Sequence, residues 1–192
     1  MAEQDEFDAA RRRLPVGEHV RGQVVRIPRP GTIGLFVDLG QEPLGFVDVL
    51  LLPHDPAEWP SVGTVTTFEV LQHRPGQVRL FPVDASFRSN YLPTSLSHEE
   101  WLAIKMRFPI GSVVAATVTH VFTRDREYVV RFTGRSSALE WTGQAPRVGT
   151  TGRYTITRHL DHTRRVVLTP ADQTPIDLDG TSDKRWGRRP GP

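Results

Sequence analysis

Cysteine is absent from this sequence, which excludes disulfides and thiolate-held metal sites. Lysine is nearly absent, occurring only at Lys105 and Lys184, so the basic side chains are almost all arginine. A GC-rich genome would enrich arginine by itself, but the consequence is physical: a flat, forked donor that stacks on bases and grips phosphates. No apolar run approaches the roughly 20 residues that cross a bilayer. Residues 1–13 are acidic and then basic, without the apolar core of a secretory signal. These absences predict a cytoplasmic chain with no membrane partner. The sequence also lacks a Gly-Lys-Ser/Thr phosphate loop and a Gly-x-Ser-x-Gly nucleophile elbow, so no catalysis and no cofactor are expected. The net charge of +2 is too small to identify a polyanionic partner.

What the chain does have is turns and an internal echo. Sixteen Gly and sixteen Pro in 192 residues point to many short elements rather than long helices. Val16-Gly17-Glu18-His19-Val20-Arg21-Gly22-Gln23-Val24 is echoed by Ile110-Gly111-Ser112-Val113-Val114-Ala115-Ala116-Thr117-Val118. Val62-Gly63-Thr64-Val65 is echoed by Val148-Gly149-Thr150-Thr151, and Leu80-Phe81-Pro82-Val83-Asp84 by Leu168-Thr169-Pro170-Ala171-Asp172. Blocks recurring in one order are the mark of a repeat. Within each copy, β-branched residues alternate between turn residues. Strands are predicted from Val20 to Ile27 and over 33–39, 44–49, 64–72 and 77–81. The second copy repeats them over 113–122, 128–132, 138–141, 153–158 and 165–169. Five short strands in about 70 residues suit a small barrel, which removes exposed sheet edges. Ser97 and Glu100 form a capping box ahead of Trp101, Leu102 and Ile104, predicting a short helix that Pro109 ends. The predicted fold is all-β: two tandem five-stranded OB-type barrels with a short connecting helix. Its divisions are an N-terminal arm (1–14), a first barrel (15–85), a linker with the helix (86–108), a second, divergent barrel (109–173) and a disordered basic tail (174–192).

Val16-Gly17, Val20, Gly22 and Val24, then Gly34-Leu35-Phe36-Val37-Asp38-Leu39-Gly40, Leu44-Gly45-Phe46-Val47 and Gln77-Val78-Arg79-Leu80, carry a family resemblance. Each copy resembles the RNA-binding repeat of the largest bacterial small-subunit ribosomal protein, the S-one domain, a form of the OB-fold. The resemblance implies a bacterial RNA-binding protein. It also implies two aromatics three apart on the second strand, a His on the third, and an Asp and an Arg flanking the last turn. Aromatic faces stack on unpaired bases, while Arg and His meet phosphate and sugar. The first copy keeps Phe36 and adds Phe46; Ile33, Asp48, His73 and Gln77 stand at the other four positions. The second keeps Asp161 and Arg165, with Tyr128 one residue from the aromatic position, where Val129 stands.

Residues 16–84 hold five basic and eight acidic side chains, a net −3, whereas 109–172 hold nine arginines and five acids, a net +4. That asymmetry predicts that the second copy, through Arg153 and Arg165, leads contact with a phosphate backbone. The expected partner is single-stranded RNA or DNA, bound with little base preference through Phe36, Phe46, Tyr128, Arg153, Asp161 and Arg165. A second expectation, from the eroded pattern and negative charge of the first copy, is a degenerate pair of barrels that binds protein. The Val49-Leu50-Leu51-Leu52 run either serves such a contact or plugs the barrel end. His159 and His162 flank Asp161, but the segment reads as a turn without a further ligand, so no metal site is expected.

Overall fold

The computed structural model describes residues 2–89 and 94–171; the predicted basic tail lies outside them. The described residues form ten strands, two α-helices and three short 3₁₀ turns. In the first half, β1 (His19–Arg29), β2 (Gly34–Asp38), β3 (Gly45–Asp48), β4 (Val65–Arg74) and β5 (Gln77–Pro82) form a closed barrel in the order β1-β2-β3-β5-β4. That is the OB arrangement. Alternation drives it: Gly22, Val24, Leu35, Val37, Val47, Val78 and Leu80 face inward, while their neighbours face out. β1 closes the barrel by pairing with β4 over His19–Gln23 and with β2 over Gln23–Arg29. Two register shifts, between Val24 and Arg26 and between Arg26 and Arg29, bend it between these partners. Gly34 sits at φ +121°, and a side chain there would run into the Val47 carbonyl; only glycine lets β2 and β3 approach so closely.

The 49–52 run plugs the barrel. Val49–Leu51 forms a 3₁₀ turn capped by Asp48, burying Leu51 and Leu52 and leaving Leu50 exposed. Trp59 is buried beneath the following loop, its indole N–H donating to the Pro53 carbonyl at 2.7 Å.

The second half comprises β6 (Val113–Phe122), β7 (Glu127–Phe132), β8 (Arg135–Glu140), β9 (Thr151–Leu160) and β10 (Arg165–Pro170). These strands follow the same order as the first five but stay an open sheet, β10-β9-β6-β7-β8. The expectation of a second closed barrel is therefore corrected: one ladder is missing, between β8 and β10. Register supplies the reason. Gly45 pairs with Val37 and, on β5, with Val78; in the second half Ser137 pairs with Val130, in the place of Gly45. The Ser137 hydroxyl donates to the Val166 carbonyl at 2.9 Å, so a side chain occupies the seam where the first half has a backbone ladder.

The predicted arm is a helix, α1 (Ala2–Arg13), rich in good helix formers and basic in its last turn. The predicted linker helix is α2 (His98–Arg107), with both hydrogen bonds of the Ser97–Glu100 capping box formed. Its Trp101 and Ile104, with Phe108 after it, belong to the second core alongside Val118, Phe132 and Ile156.

The two halves meet through charged side chains at the end of the β4–β5 hairpin. Glu140 accepts from the buried imidazole of His73 at 2.8 Å and lies 3.1 Å from the buried Arg11 guanidinium. Arg11 also donates to the Asp125 carbonyl at 2.7 Å. Around this point Gln72 donates to Glu127, Arg74 pairs with Asp125, and Arg126 pairs with Asp8 at 2.9 Å. Further along, Gly17 (φ +84°) lies so close to Leu160 that an added Cβ would stand 2.5 Å from it.

Removing one partner of a buried ion pair leaves the other desolvated and uncompensated. Glu140→Ala is expected to lose about 3 kcal/mol of unfolding free energy, and Glu140→Gln, which keeps an acceptor, less. Urea denaturation followed by tryptophan fluorescence reads both; an unchanged midpoint for Glu140→Ala would show that the contact does not hold the halves together.

Candidate nucleic-acid interface

The outward residues of the closed barrel line up across its strands. On β2, Leu35 and Val37 go to the core and Phe36 between them goes out; on β3, Val47 goes in and Phe46 out. On β5, Val78 and Leu80 are inside and Arg79 outside. The ladders then place Arg26 opposite Phe36, Phe36 opposite Phe46, Phe46 beside Arg79, and Arg79 opposite Gln72. This is one transverse row, spanning roughly 14 Å from β1 to β5 at the usual strand spacing.

The contacts along the row are cation, ring, ring, cation. The Arg26 guanidinium carbon lies 4.1 Å from the Phe36 ring centre, and that of Arg79 4.6 Å from the Phe46 ring centre. The two rings meet edge to face, 5.1 Å apart at 64°. Asp48 holds Arg79 at 3.3 Å. Phe46 is only 7% exposed, whereas Phe36 is half-buried and Arg26 exposed, so Phe36 is the ring a ligand can reach. An exposed cation–π contact is worth about 0.5–1 kcal/mol, and a base stacked on an aromatic about 1–3 kcal/mol. A base can therefore displace Arg26 from Phe36, freeing that guanidinium for the adjoining phosphate. Beside Phe46 and Arg79 a cleft of about 270 Å³ runs to Arg74 and Arg165 at the junction of the halves.

The other expected residues are not on this row. Tyr128 is buried in the second core against Tyr154, and burial, with that neighbour, pushes its hydroxyl pKa well up. Asp161 and Arg165 do not pair. Asp161 accepts from the Trp101 indole N–H at 2.7 Å and from Lys105 at 2.9 Å, which ties the β9–β10 turn to α2. Arg165 is half-buried; burial pulls its pKa down, and the buried carboxylates of Glu127 and Glu69 act in the opposite sense. Its charge offsets those of Glu127 in its own half and Glu69 in the other. Arg153 is exposed on the outer face of β9 opposite Ala115, and Arg131 is exposed on β7 opposite Thr117.

In the second half the equivalent row reads His120, Val129 and Ala138, with Val167 and Arg158 on the last two strands. No ring stands where Phe36 and Phe46 do. The aromatic platform is thus on the acidic first half, not on the arginine-rich second half. The departure at His73 has a place in the fold, because its imidazole and its backbone N–H both hold Glu140. Arg26 and Arg79 were not among the expected residues. Both were visible as outward strand positions, but their placement over the rings depends on a bulged register and a parallel β3–β5 pairing that local pattern does not disclose.

The turn histidines separate. His159 bonds the Phe108 carbonyl at 2.8 Å, while His162 lies across the junction with His19 and Glu69, the ligand atoms of all three within 4.8 Å of one another. Glu69 is buried, which pushes its carboxyl pKa up; the hydrogen bond from His19 opposes this. Its Oε2 lies 3.4 Å from His19 Nε2, and its Oε1 has no partner among the described residues.

No family model matches the chain, and no curated protein does. Solved structures do match it in part. GSP13 from Bacillus subtilis is 29% identical over 35% of this chain and 54% of that one, with a TM-score of 0.31. A multidomain protein with nucleic acid binding domains from Streptococcus pneumoniae is 15% identical over 80% of this chain and 51% of that one, at 0.30. A chain of the a/eIF2alpha-aDim2p-rRNA complex from Pyrococcus horikoshii is 17% identical over 48% of this chain and 52% of that one, at 0.31. This chain spans about half the length of each.

Proposed function

We propose that the chain binds single-stranded RNA or DNA across the outer face of its closed barrel, with little base preference and without catalysis, in the cytoplasm of a bacterium. The observation that carries this reading is the transverse row Arg26–Phe36–Phe46–Arg79. It couples a reachable ring to two guanidinium groups at strand spacing, the combination that holds an unpaired base and its flanking phosphates. Phe36 stacks the base, Phe46 supports that ring from the side, and Arg26 and Arg79 meet phosphates. Ring stacking tolerates every base, so discrimination is weak. Arg131 and Arg153 add long-range attraction from the second half. Protein binding is the less supported reading, because the apolar run offered for it has Leu51 and Leu52 in the core.

Fluorescence anisotropy of a labelled, unstructured RNA tests this. Phe36→Ala should weaken binding about tenfold, equivalent to one lost stacking contact. Two phosphate contacts give a log K against log salt slope of about −1.4, and Arg79→Ala should halve it. Arg153→Ala should change affinity about twofold or less, the effect of a distant screened charge. No binding at low salt, or a Phe36→Ala variant as tight as the parent, would overturn the reading.

Arg165→Met belongs to a different class. It should lower stability by about 2 kcal/mol, less than for a fully buried pair because the side chain is partly exposed. RNA affinity of the folded fraction should stay close to the parent's, and a large loss without loss of stability would place Arg165 in the binding surface.

A further inference from the structure

We infer that His19, Glu69 and His162 hold one divalent transition-metal ion, Zn²⁺ by their chemistry, in the cleft where the two halves meet. His19 and Glu69 are cross-strand partners on β1 and β4, and His162 comes from the β9–β10 turn of the other half. Two imidazoles and a carboxylate form a donor set that suits Zn²⁺, with a fourth position left for water. The His19 Nε2–Glu69 Oε2 separation of 3.4 Å is close to the edge of a tetrahedron with bonds of about 2.05 Å, which is about 3.3 Å. His162 needs a shift of at most about 1.5 Å to reach an edge of about 3.3 Å, since no ligand atom is more than 4.8 Å from another.

A second observation points the same way. Glu69 is 3% exposed and its Oε1 is buried with no hydrogen-bond donor among the described residues. Buried polar atoms are almost always satisfied, and an ion held by both oxygens of this carboxylate, Oε2 and the orphaned Oε1, answers that lack. Access is open: the His19 side chain is 52% exposed, and the cleft has a volume of about 370 Å³. Gly17 allows the close packing against Leu160 that forms its wall.

Cationic neighbours oppose the ion: Arg165 already acts on the Glu69 carboxylate, Arg158 lines the cleft, and Arg88 touches His162. Arg88 Nη1 lies 3.2 Å from His162 Nδ1, so its charge repels a dication and its N–H occupies a ring lone pair. Binding is therefore expected in the micromolar range rather than the nanomolar. The ion would fasten the β1–β4 edge of the barrel to the β9–β10 turn, a clamp at the opposite end of the junction from Glu140. This inference does not depend on the nucleic-acid reading.

The test is calorimetric titration of the chelator-treated full chain with ZnSO₄, paired with thermal unfolding. One ion per chain and a raised Tm are expected. His162→Ala and His19→Ala, both on accessible side chains, should weaken binding at least tenfold, as should Glu69→Gln. His159→Ala should bind like the parent, and Arg88→Ala should bind several-fold more tightly, an effect that a purely structural cluster would not show. If Glu69→Gln fails to fold, the two histidine variants decide. Absence of stoichiometric binding, or binding that survives both His19→Ala and His162→Ala, would overturn the assignment.

Discussion

The carboxylate of Glu140 is shared by the imidazole of His73 and the guanidinium of Arg11, groups that come from the first barrel and from the helix before it. Each of those groups is almost wholly removed from water, and an unmatched charge in such a place is costly. The three therefore require one another, and satisfying them leaves little freedom in how the second sheet sits against the first. Much else follows from that placement. Gln72 can reach Glu127, Arg165 comes under the influence of Glu127 and Glu69, and His162 is carried across to His19. A nonpolar seam of the same area would slide more easily; a seam built on charge and hydrogen-bond direction has a single register.

Holding the halves in this way changes what the first barrel has left for a ligand. In an S-one type barrel the last turn would contribute to the nucleic-acid surface, but here His73 is buried in the junction. The remaining outward surface is the row across β1, β2, β3 and β5, where the rings are already covered by arginines. A covered ring is still usable, because the covering contact is weaker than the stacking that replaces it. On the proposed reading, the arginine is then released beside a phosphate. Self-stacking keeps Phe36 and Phe46 from presenting a bare apolar patch to water, and on the proposed reading displacement turns the same residues into a binding surface.

The strands were legible because they depend on local alternation. β2, with Leu35 and Val37 inside and Phe36 outside, is readable from five residues, and the capping box of α2 from four. Closure was not legible. Whether a fifth ladder forms turns on one residue, Gly45 in the first half and Ser137 in the second, and on which strand lies opposite it. The helix of the N-terminal arm was missed because its buried apolar positions are few, Ala10 within it and Leu14 just after it, so no long amphipathic stripe announces it. The site residues divide along the same line. Phe36 and Phe46 follow from strand parity, whereas Arg26 and Arg79 join them only through pairings between strands remote in sequence.

Charge counting leaves out contacts of the same kind. A net −3 against +4 places the cations in the second half, yet several of these are already matched. Arg126 is paired with Asp8 and Arg158 with Glu18, and the buried carboxylates of Glu127 and Glu69 act on Arg165. In the acidic half, Asp48 lies beside Arg79 and Glu69 is buried, so its negative count overstates what a strand of RNA would meet at the aromatic row. A phosphate within hydrogen-bonding distance of Arg26 responds to that guanidinium far more than to a carboxylate a Debye length away, about 8 Å at physiological salt. Binding by this surface is therefore a matter of local geometry, and the sign of a domain's total charge is a poor guide wherever its arginines have been used to build the fold.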